Sequence, residues 1–416
     1  MRFWGENMIS LPTPNTEEEI YDSFAFFEQI ISDYYIEKGE LFSEVLNIRK
    51  DILNICNSNF YDLLKRFDYY KSLVDLISKS PITTEKFYCR PKIPECRSYK
   101  PIAYNEMVCA CNAFSKRYSL EKSIVLGIRT AGCWGGAILA NNLKAKGADV
   151  QYLSLRPIKA IRYDMIAKCP FYSSDEEISV LNEYLNRVNF SCVVIVDDPV
   201  YTGKTLKAFV NFLLNIGVNR IIYFPLGNIT EINFSHIETF CYSFSTDERM
   251  KENFVISLYQ KGYHSIEVCD GITMHSTFFL FQDEMGQRYK SKFVGMGWYG
   301  KIEWHRGKIC NKFVCNMVTY FDGHIIQKLC DLDKAEYKSH DLIEQYNDYL
   351  KLIEDNFKFR SINGIACLWY NTSFINGKWY ICSNQLINNS FEAGHWGKLI
   401  SKDTVVKKDI NLLKLL

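Results

Sequence analysis

Two adjacent acids followed by a glycine-containing loop are the residues of this sequence best suited to chemistry. Asp197 and Asp198 end a run of four apolar residues, and Gly203, Lys204 and Thr205 follow a few positions later. Backbone amides at the start of a helix bind phosphate, and paired carboxylates can accept hydrogen bonds from vicinal sugar hydroxyls or help to hold Mg²⁺ through water. This stretch therefore predicts a sugar-phosphate site.

Two other interpretations of the same stretch remain. The Gly-Lys-Thr triplet is typical of the phosphate loop of NTPases, but that loop needs a glycine five positions before Gly203, where this chain has Asp198. A chance acidic turn between a strand and a helix would need no ligand at all. The coincidence of a buried strand, paired acids, a Thr-Gly-x-Thr loop and a helix favours the sugar-phosphate site.

The elements around this loop alternate between strands and helices. Short apolar runs predict strands at 123–127, 150–155, 192–196 and 220–226, and helices are expected at 132–146, 174–188 and 204–216. Such alternation is typical of a parallel sheet with right-handed crossovers. Open sheets of this kind bind ligands at the carboxyl ends of their strands, which is where Asp197 and Asp198 are expected.

The whole chain divides by texture into four parts. Residues 1–100 are expected to be helical, with helical spacing of apolar residues from Thr16 to Lys50 and again from about Leu41 to Ile77, and a helix start at Asn15. Residues 101–229 form the α/β part, and residues 230–275 are a mixed connector. Residues 276–416 predict an α+β domain with antiparallel strands, turns at 283–287 and 376–377, and a helix at about 334–356.

The C-terminal part also contains a Gly-x-Gly-x-x-Gly pattern within residues 292–301. The pattern resembles the glycine-rich loop of kinase-like folds, and a β-turn or bulge is the alternative. His395 and Asp409 are interpreted either as remnants of a kinase-like site or as ordinary structural residues. Kinase activity is not expected, because the chain has no His-Arg-Asp or Asp-Phe-Gly motif.

Composition restricts the class of protein. Hydrophobic residues make up 47% and charged residues 23%, with a net charge of +1, which excludes a wholly disordered chain and does not favour extensive contact with nucleic acid. No apolar run suits a signal peptide or a membrane-spanning helix. The 15 cysteines form no Cys-x-x-Cys pair, so we expect reduced thiols in a cytoplasmic protein, without a zinc site and without membrane association.

Residues 193–205 resemble the phosphoribosyl-diphosphate (PRPP) signature of type I phosphoribosyltransferases. That signature is four apolar residues, two acids, two mostly apolar residues, a small residue, Thr, Gly, any residue and Thr, and the chain departs from it at Pro199 and Tyr201. The resemblance implies an α/β fold with a parallel-sheet core in which Asp197 and Asp198 bind the ribose hydroxyls. It also implies that the 5′-phosphate is held by Tyr201, Thr202, Gly203, Lys204 and Thr205.

A second stretch, residues 127–132, agrees with this resemblance. In the family the matching loop binds the diphosphate through backbone amides and often a basic side chain, which implies this role for Arg129 with Thr130, Ala131 and Gly132. Arg156 resembles the family's basic residue at the end of the next strand. Residues 159–173 fall where the family has a mobile flap, whose cations would be Lys159, Arg162 and Lys168. Without the resemblance, a turn before a helix and a solvated charge at a strand end would explain the same residues.

The resemblance implies a reaction at C1 of a ribose phosphate. PRPP or a ribose-phosphate nucleotide would bind with Mg²⁺, diphosphate would leave C1, and a nucleophile would attack an oxocarbenium-like centre. Asp197, Asp198 and Arg129 are the expected catalytic residues. The sequence does not identify the acceptor.

Two further functions fit the same residues. Phosphoribosyltransferase-like domains with extra modules resemble effectors of bacterial antiphage systems, including retrons, and would act through a partner protein or through a reverse transcriptase and its nucleic acid. A nucleotide sensor without turnover is the other alternative, which Pro199 and Tyr201 favour. The Tyr201 hydroxyl would donate to the phosphate in one interpretation, and its ring would stack on a base in the other. The helical N-terminal region is expected either to pack on a neighbouring part of the chain or to make a contact between copies in a homo-oligomer.

Overall fold

The computed structural model describes the chain in segments between Thr13 and Ser401. The described residues are 13–79, 102–129, 131–157, 171–172, 179, 181–185, 192–197, 203–227, 237–244, 247–263, 267–273, 276–297, 300–301, 304, 307–308, 317–328, 366–367, 372–375, 378–381, 386–387, 390–392 and 399–401. Described residues within 13–77 and 91–246 form one compact unit, and those from 247 onward belong to a second.

Three helices open the first unit: α1 (Glu17–Lys38), α2 (Phe42–Ile52) and α3 (Phe60–Lys79). The N-cap of α1 is Thr16, one residue after the predicted start at Asn15. The Thr16 hydroxyl accepts the Glu19 N–H at 3.2 Å, and the Glu19 carboxylate accepts the Asn15 N–H at 2.7 Å. This reciprocal capping fixes where the helix begins.

The second helical pattern, expected to run without a break from about Leu41 to Ile77, is divided between α2 and α3. A short 3₁₀ turn, Ile55–Asn57, lies between the two helices. Asn59 then caps α3, because its side-chain oxygen accepts the Asp62 N–H at 2.9 Å. Asparagine and serine side chains compete for backbone hydrogen bonds and so favour caps and turns over helix interiors, which is why the helix stops in this Asn-rich stretch.

Helix α1 is buried on nearly all sides. Its Phe24 packs edge-on against Tyr70 of α3 with ring centroids 5.8 Å apart, and its Phe27 lies 5.5 Å from Phe67. Acidic residues are nevertheless buried on the same helix, among them Glu28 and Asp33. Because a buried carboxylate is costly without a partner, these acids must pair with groups on other elements.

A six-stranded sheet forms the centre of the first unit, in the order β3-β2-β1-β4-β5-β6. Its strands are β1 (Lys122–Ile128), β2 (Asp149–Pro157), β3 (Phe171–Tyr172), β4 (Cys192–Asp197), β5 (Ile221–Pro225) and β6 (Glu238–Thr239). Strand β3 pairs antiparallel with β2, and the other five strands are parallel. The predicted parallel-sheet α/β core with an N-terminal helical region is confirmed.

Helices α4 (Tyr104–Tyr118), α5 (Ala131–Ala145) and α6 (Lys204–Asn215) complete this unit. One face of the sheet packs its aliphatic side chains against α6, where Leu206, Phe209 and Leu213 are buried. The opposite face, which carries Tyr152, Ser154 and Arg156 at alternate positions of β2, lies against α5 and α1. The predicted helices at 132–146 and 204–216 are confirmed. Of the predicted helix at 174–188, only 179 and 181–185 are described, and they are helical.

The second unit is built on an antiparallel sheet, in the order β10-β11-β9-β8-β7. Its elements are α7 (Asp247–Gln260), β7 (Glu267–Thr273), β8 (Ser276–Gln282), β9 (Arg288–Phe293), β10 (Met317–Phe321) and β11 (His324–Lys328). Phe254 and Leu258 of α7 share a core with Phe279, Phe281 and Ile326. The antiparallel C-terminal part is confirmed, and β7 and α7 come from the predicted connector.

Short strands follow in two small sheets: β12 (Ala366–Cys367), β13 (Thr372–Ile375), β14 (Lys378–Ile381), β15 (Leu386–Ile387), β16 (Ser390–Glu392) and β17 (Leu399–Ser401). Ile375 pairs with Lys378 across a two-residue turn, so the predicted hairpin is confirmed. The predicted helix at 334–356, His395 and Asp409 lie outside the described residues. Among the helices that are described, none has the length and apolarity needed to cross a membrane.

Candidate functional site

The two predicted loops begin side by side at one edge of the parallel sheet. Strands β1 and β4 are hydrogen-bonded neighbours, and Gly127 stands opposite Val196 in their register. The loop of residues 127–132 therefore leaves β1 next to the point where Asp197 ends β4. Since both strands run in the same direction, both loops open on the carboxyl edge, where open α/β sheets bind ligands.

Glycine allows α5 to start directly on this edge. A Cβ atom at Gly132 would overlap the carbonyl oxygen of Val196, and one at Gly127 would come within 2.9 Å of the Gly132 carbonyl oxygen. The first turn of α5, with Ala131 and Gly132, thus lies against the end of β4. Amides at a helix N-terminus carry positive partial charge, so this turn can attract an anion.

The second loop meets α6 through a glycine in the left-handed conformation. Gly203 has φ +68° and caps α6, and its carbonyl accepts the Lys207 N–H at 2.8 Å. Residues with a Cβ rarely adopt this φ, so the backbone conformation at position 203 favours glycine. Thr205 in the first turn is partly exposed, so its hydroxyl and the amides of that turn can hold a phosphate.

Asp197, at the end of β4, is fixed by a backbone hydrogen bond and is partly exposed to solvent. The Asp197 carbonyl accepts the Leu226 N–H at 2.7 Å, which fixes the strand end against β5. Of the other predicted loop residues, Thr130, Asp198, Tyr201 and Thr202 lie outside the described residues, as do the flap cations Lys159, Arg162 and Lys168. Lys204 is described only as the first residue of α6.

Arg129 points into the protein rather than along the edge of the sheet. Its Nε donates to the Ser154 hydroxyl at 2.7 Å and its Nη2 to the Ser154 carbonyl at 2.7 Å. Its Nη1 donates to Oδ1 of Asp33 at 2.8 Å, and its side chain has no exposed surface. Arg129 therefore joins the first loop to β2 and α1 in this structure. Its predicted role as a diphosphate ligand stays a prediction.

Arg156 meets the same carboxylate from the end of β2. Its Nε donates to Asp33 Oδ1 at 2.8 Å, and its Nη2 donates to Asp33 Oδ2. The side chain is 11% exposed, so it lies at the boundary of the interior. Strand β3, which falls within the last residues of the predicted flap, pairs with β2 and places Tyr172 opposite Arg156.

A second buried ion pair lies next to the first. The Arg49 Nε donates to Glu28 Oε1 at 2.9 Å, and the Arg49 Nη2 donates to the Ser154 carbonyl at 3.2 Å. The Ser154 hydroxyl donates to the other Glu28 oxygen. Ser154 therefore bonds to Arg49, to Arg129 and, through Glu28, to α1.

Sequence reasoning missed Asp33, Glu28, Arg49 and Ser154. One signal could have found the two acids. Aromatic and aliphatic residues occur on several faces of α1, with acids between them, and such a distribution is typical of a buried helix. A carboxylate on such a helix needs a cation, and the arginines that end β1 and β2 were the available partners.

Cys133 is a buried thiol at the start of α5. Burial raises the pKa of Cys133, in the first turn of α5, far above its ordinary value, so the thiol stays protonated at neutral pH. Free thiols are found at Cys56, Cys109, Cys111, Cys133, Cys192 and Cys241. Within the described segments, no three His, Cys, Asp or Glu side chains converge as a metal cluster. Asp197 offers one hard oxygen ligand, which suits a Mg²⁺ held mainly by the oxygens of a bound phosphate and by water.

Residues 104–225 match the family model of the phosphoribosyl transferase domain, and the match includes both loops. No curated protein matches the chain. Among solved structures the chain is similar to a 2,5-dihydroxypyridine dioxygenase from Pseudomonas putida KT2440, with 13% identity over 46% of this chain and a TM-score of 0.20, and it spans 57% of that enzyme's length. It is also similar to chloroplast FtsY from Physcomitrella patens, with 12% identity over 51% of this chain and 84% of that one and a TM-score of 0.14. TM-scores this low carry no argument about fold or function.

Proposed function

We propose that the phosphoribosyltransferase domain of this chain, residues 104–225, binds PRPP or a ribose-phosphate nucleotide with Mg²⁺ and transfers or cleaves at C1 of the ribose. The observation that carries the proposal is the pairing of β1 with β4, which starts the loops after Gly127 and Val196 next to each other at the carboxyl edge. One loop would bind the diphosphate, and the other would bind the 5′-phosphate and the ribose.

The chemistry asks mainly for positioning and for neutralisation of charge. The bond between C1 and the diphosphate oxygen breaks, the oxygen keeps the electron pair, and the nucleophile supplies a new pair to C1. Amides in the first turns of α5 and α6 bind the two anionic ends and so hold C1 in place. Asp197 accepts hydrogen bonds from the ribose hydroxyls, and Asp198 is assigned the same role from the sequence. Bound Mg²⁺ would supply charge neutralisation at the diphosphate.

Calorimetry on the full chain with Mg²⁺ tests the proposal, with PRPP, ribose 5-phosphate and nucleoside monophosphates as titrants. At least one of them is expected to bind. Gly203→Ala places a Cβ at φ +68° at the start of α6 and is expected to lower the affinity for ribose 5-phosphate strongly. Gly217→Ala is the matched control, because Gly217 has φ +89° at the other end of the same helix, with open space around its Cβ position. Absence of binding by all titrants to folded protein contradicts the proposal.

A sensor that binds the nucleotide without turnover is the second candidate. The observation in its favour is Arg129, whose guanidinium is engaged by Ser154 and Asp33 inside the protein. Tyr201 separates the two candidates. In a transferase the Tyr201 hydroxyl donates to the phosphate, and Tyr201→Phe is expected to lose about 1 kcal/mol of affinity. Tighter PRPP binding and a gain of turnover in Tyr201→Ser would favour the sensor.

The second unit bears on a role as an effector of antiphage defence. The sheet of β7 to β11 with α7 is additional to the transferase domain, and an ordinary transferase does not need it for the chemistry above. Such a protein would act in the cytoplasm through a partner protein or nucleic acid. Purification of the full chain from its natural host, followed by identification of the bound protein and nucleic acid, tests this role. Recovery of the chain alone would count against it.

A further inference from the structure

Asp33 of α1 accepts hydrogen bonds from two arginines, Arg129 just after β1 and Arg156 near the end of β2. Arg129 at the end of β1 and Arg156 at the end of β2 both donate to its Oδ1 at 2.8 Å, and Arg156 adds a second bond to Oδ2. The Asp33 side chain is only 3% exposed. The Asp33 carboxylate therefore orients two guanidinium groups that belong to different strands of the sheet.

This contact reaches the backbone of the first loop as well. The Arg129 N–H donates to the Leu155 carbonyl at 2.8 Å, one residue before Arg156. The Arg129 side chain turns inward to Ser154 and Asp33, and α5 begins two residues later at Ala131. The Arg129 backbone and side chain thus both bond to β2, and the side chain also bonds to Asp33.

The charges around Asp33 favour an anion at the neighbouring edge. The two buried ion pairs contain three guanidiniums, those of Arg49, Arg129 and Arg156, and two carboxylates, those of Glu28 and Asp33. These five groups together carry one net positive charge. Arg156 is the partly exposed one of the two arginines on Asp33, and it stands at the carboxyl end of β2, beside the first loop.

We propose that Asp33 is a positioning residue for the diphosphate end of the ligand: it aligns Arg156 and anchors the first loop through Arg129, so that both face the diphosphate. This inference rests on the proposed function of the site. Asp33 touches neither ligand nor reacting atoms. The 5′-phosphate would lie at the other loop, beside Gly203 and Thr205 at the start of α6.

The division of the ligand between two loops gives a sharp test. Calorimetry on the full chain with Mg²⁺ compares inorganic diphosphate, PRPP and ribose 5-phosphate. Asp33→Asn removes the charge that orders both guanidiniums and is expected to weaken diphosphate and PRPP at least tenfold, with ribose 5-phosphate changed less than twofold. Asp33→Glu keeps the charge but moves the carboxylate by one methylene. It is expected to show the same selective loss, and it decides the question on the same measurements if Asp33→Asn does not fold.

Asp51→Asn is the matched control. Asp51 also pairs with an arginine, Arg66, at 2.9 Å and accepts from Tyr70 at 2.7 Å, but these partners lie on α3. This variant is expected to lower the melting temperature without changing any of the three affinities. Equal losses for diphosphate and ribose 5-phosphate in the Asp33 variants would mean a merely structural role. Tighter binding of diphosphate would mean that Asp33 competes with the ligand, and either result overturns the proposal.

The outcome also separates this inference from the proposed function. If the parent protein binds none of the three ligands, the proposed function fails. If the parent binds them and the Asp33 variants bind all of them equally well, only the role of Asp33 fails.

Discussion

The Cα of Gly132 lies against the carbonyl oxygen of Val196, so close that a methyl group in place of hydrogen would overlap it. This contact joins the first turn of α5 to the carboxyl end of β4. It thereby sets the distance between the starts of the two loops. Moving the two apart would cost free energy, because the obstructing atom belongs to the backbone of a central strand.

Gly132→Ala is expected to destabilise the first unit by about 3 kcal/mol, the upper part of the range for overpacking, and to weaken ribose-phosphate binding. Gly136→Ala, one turn further along α5, is the comparison, since its Cβ would meet the Gly127 Cα and a Tyr152 ring carbon at 3.3 Å, and its loss of stability is expected to be smaller than that of Gly132→Ala. Thermal unfolding of both variants checks this. Equal melting temperatures would show that the strand end can move.

Asp197→Asn is expected to weaken ribose 5-phosphate by about 1.5–3 kcal/mol, because one charge-assisted hydrogen bond to a ribose hydroxyl is lost. Asp198→Asn is expected to act similarly. Asp149→Asn serves as the control, since Asp149 is an exposed acid at the start of β2, at the opposite edge of the sheet. Calorimetry with melting curves decides. Unchanged affinity in a stable Asp197→Asn protein would show that this acid does not contact the sugar.

Glu28→Gln is expected to lower the stability of the first unit by about 3–5 kcal/mol, because it leaves the Arg49 guanidinium buried without its carboxylate. Glu238→Gln breaks the Arg220 pair, whose side chains are 41% and 46% exposed, and should cost under about 1 kcal/mol. Chemical denaturation of the two variants measures the difference. Similar losses from both would contradict the buried network.

His324 should make the second unit sensitive to acid. Burial against Phe254 and neighbouring rings lowers its pKa from 6.5 to about 3, and its Nδ1 lies 2.9 Å from the Ser291 hydroxyl. Below about pH 6.5, the His324 imidazole is therefore protonated in the unfolded chain but stays neutral in the folded unit. Stability is fully present above that pH and falls by about 1.4 kcal/mol per pH unit as the pH is lowered toward 3.

Melting curves between pH 7 and pH 5 test this, a window in which most carboxylates remain ionised. His324→Asn retains a side chain that can bond to Ser291 but cannot titrate. The melting temperature of this variant is expected to change less over the window than that of the parent. Parallel curves for the two proteins would contradict the assignment.

Local patterns predicted the elements that hold the site. The apolar runs of β1, β2 and β4, the helix that starts after residue 130 and the helix after Gly203 all follow from short-range periodicity and glycine positions. The surroundings of Arg129 did not, since its partner Asp33 lies 96 residues away in the chain. A pairing over that distance depends on how α1 packs on the sheet, which no spacing within either segment records.

The break between α2 and α3 was missed for a different reason. Apolar residues keep a helical period on both sides of it, so the period alone gives one helix. The competing signal is chemical: Asn54, Asn57, Ser58 and Asn59 offer side chains that bond to nearby backbone, and Asn59 does so as a cap.

The ion pairs of Asp33 with Arg129 and Arg156 join α1 to the sheet of the matched domain. We therefore expect the smallest stable fragment to be longer than the family match. The family match begins at residue 104, so a fragment cut there would keep Arg129 and Arg156 and lose the carboxylate between them. It would also lose Glu28, the partner of the Ser154 hydroxyl. We therefore expect that this domain can be moved into another protein, or shortened for expression, only together with α1 and α2.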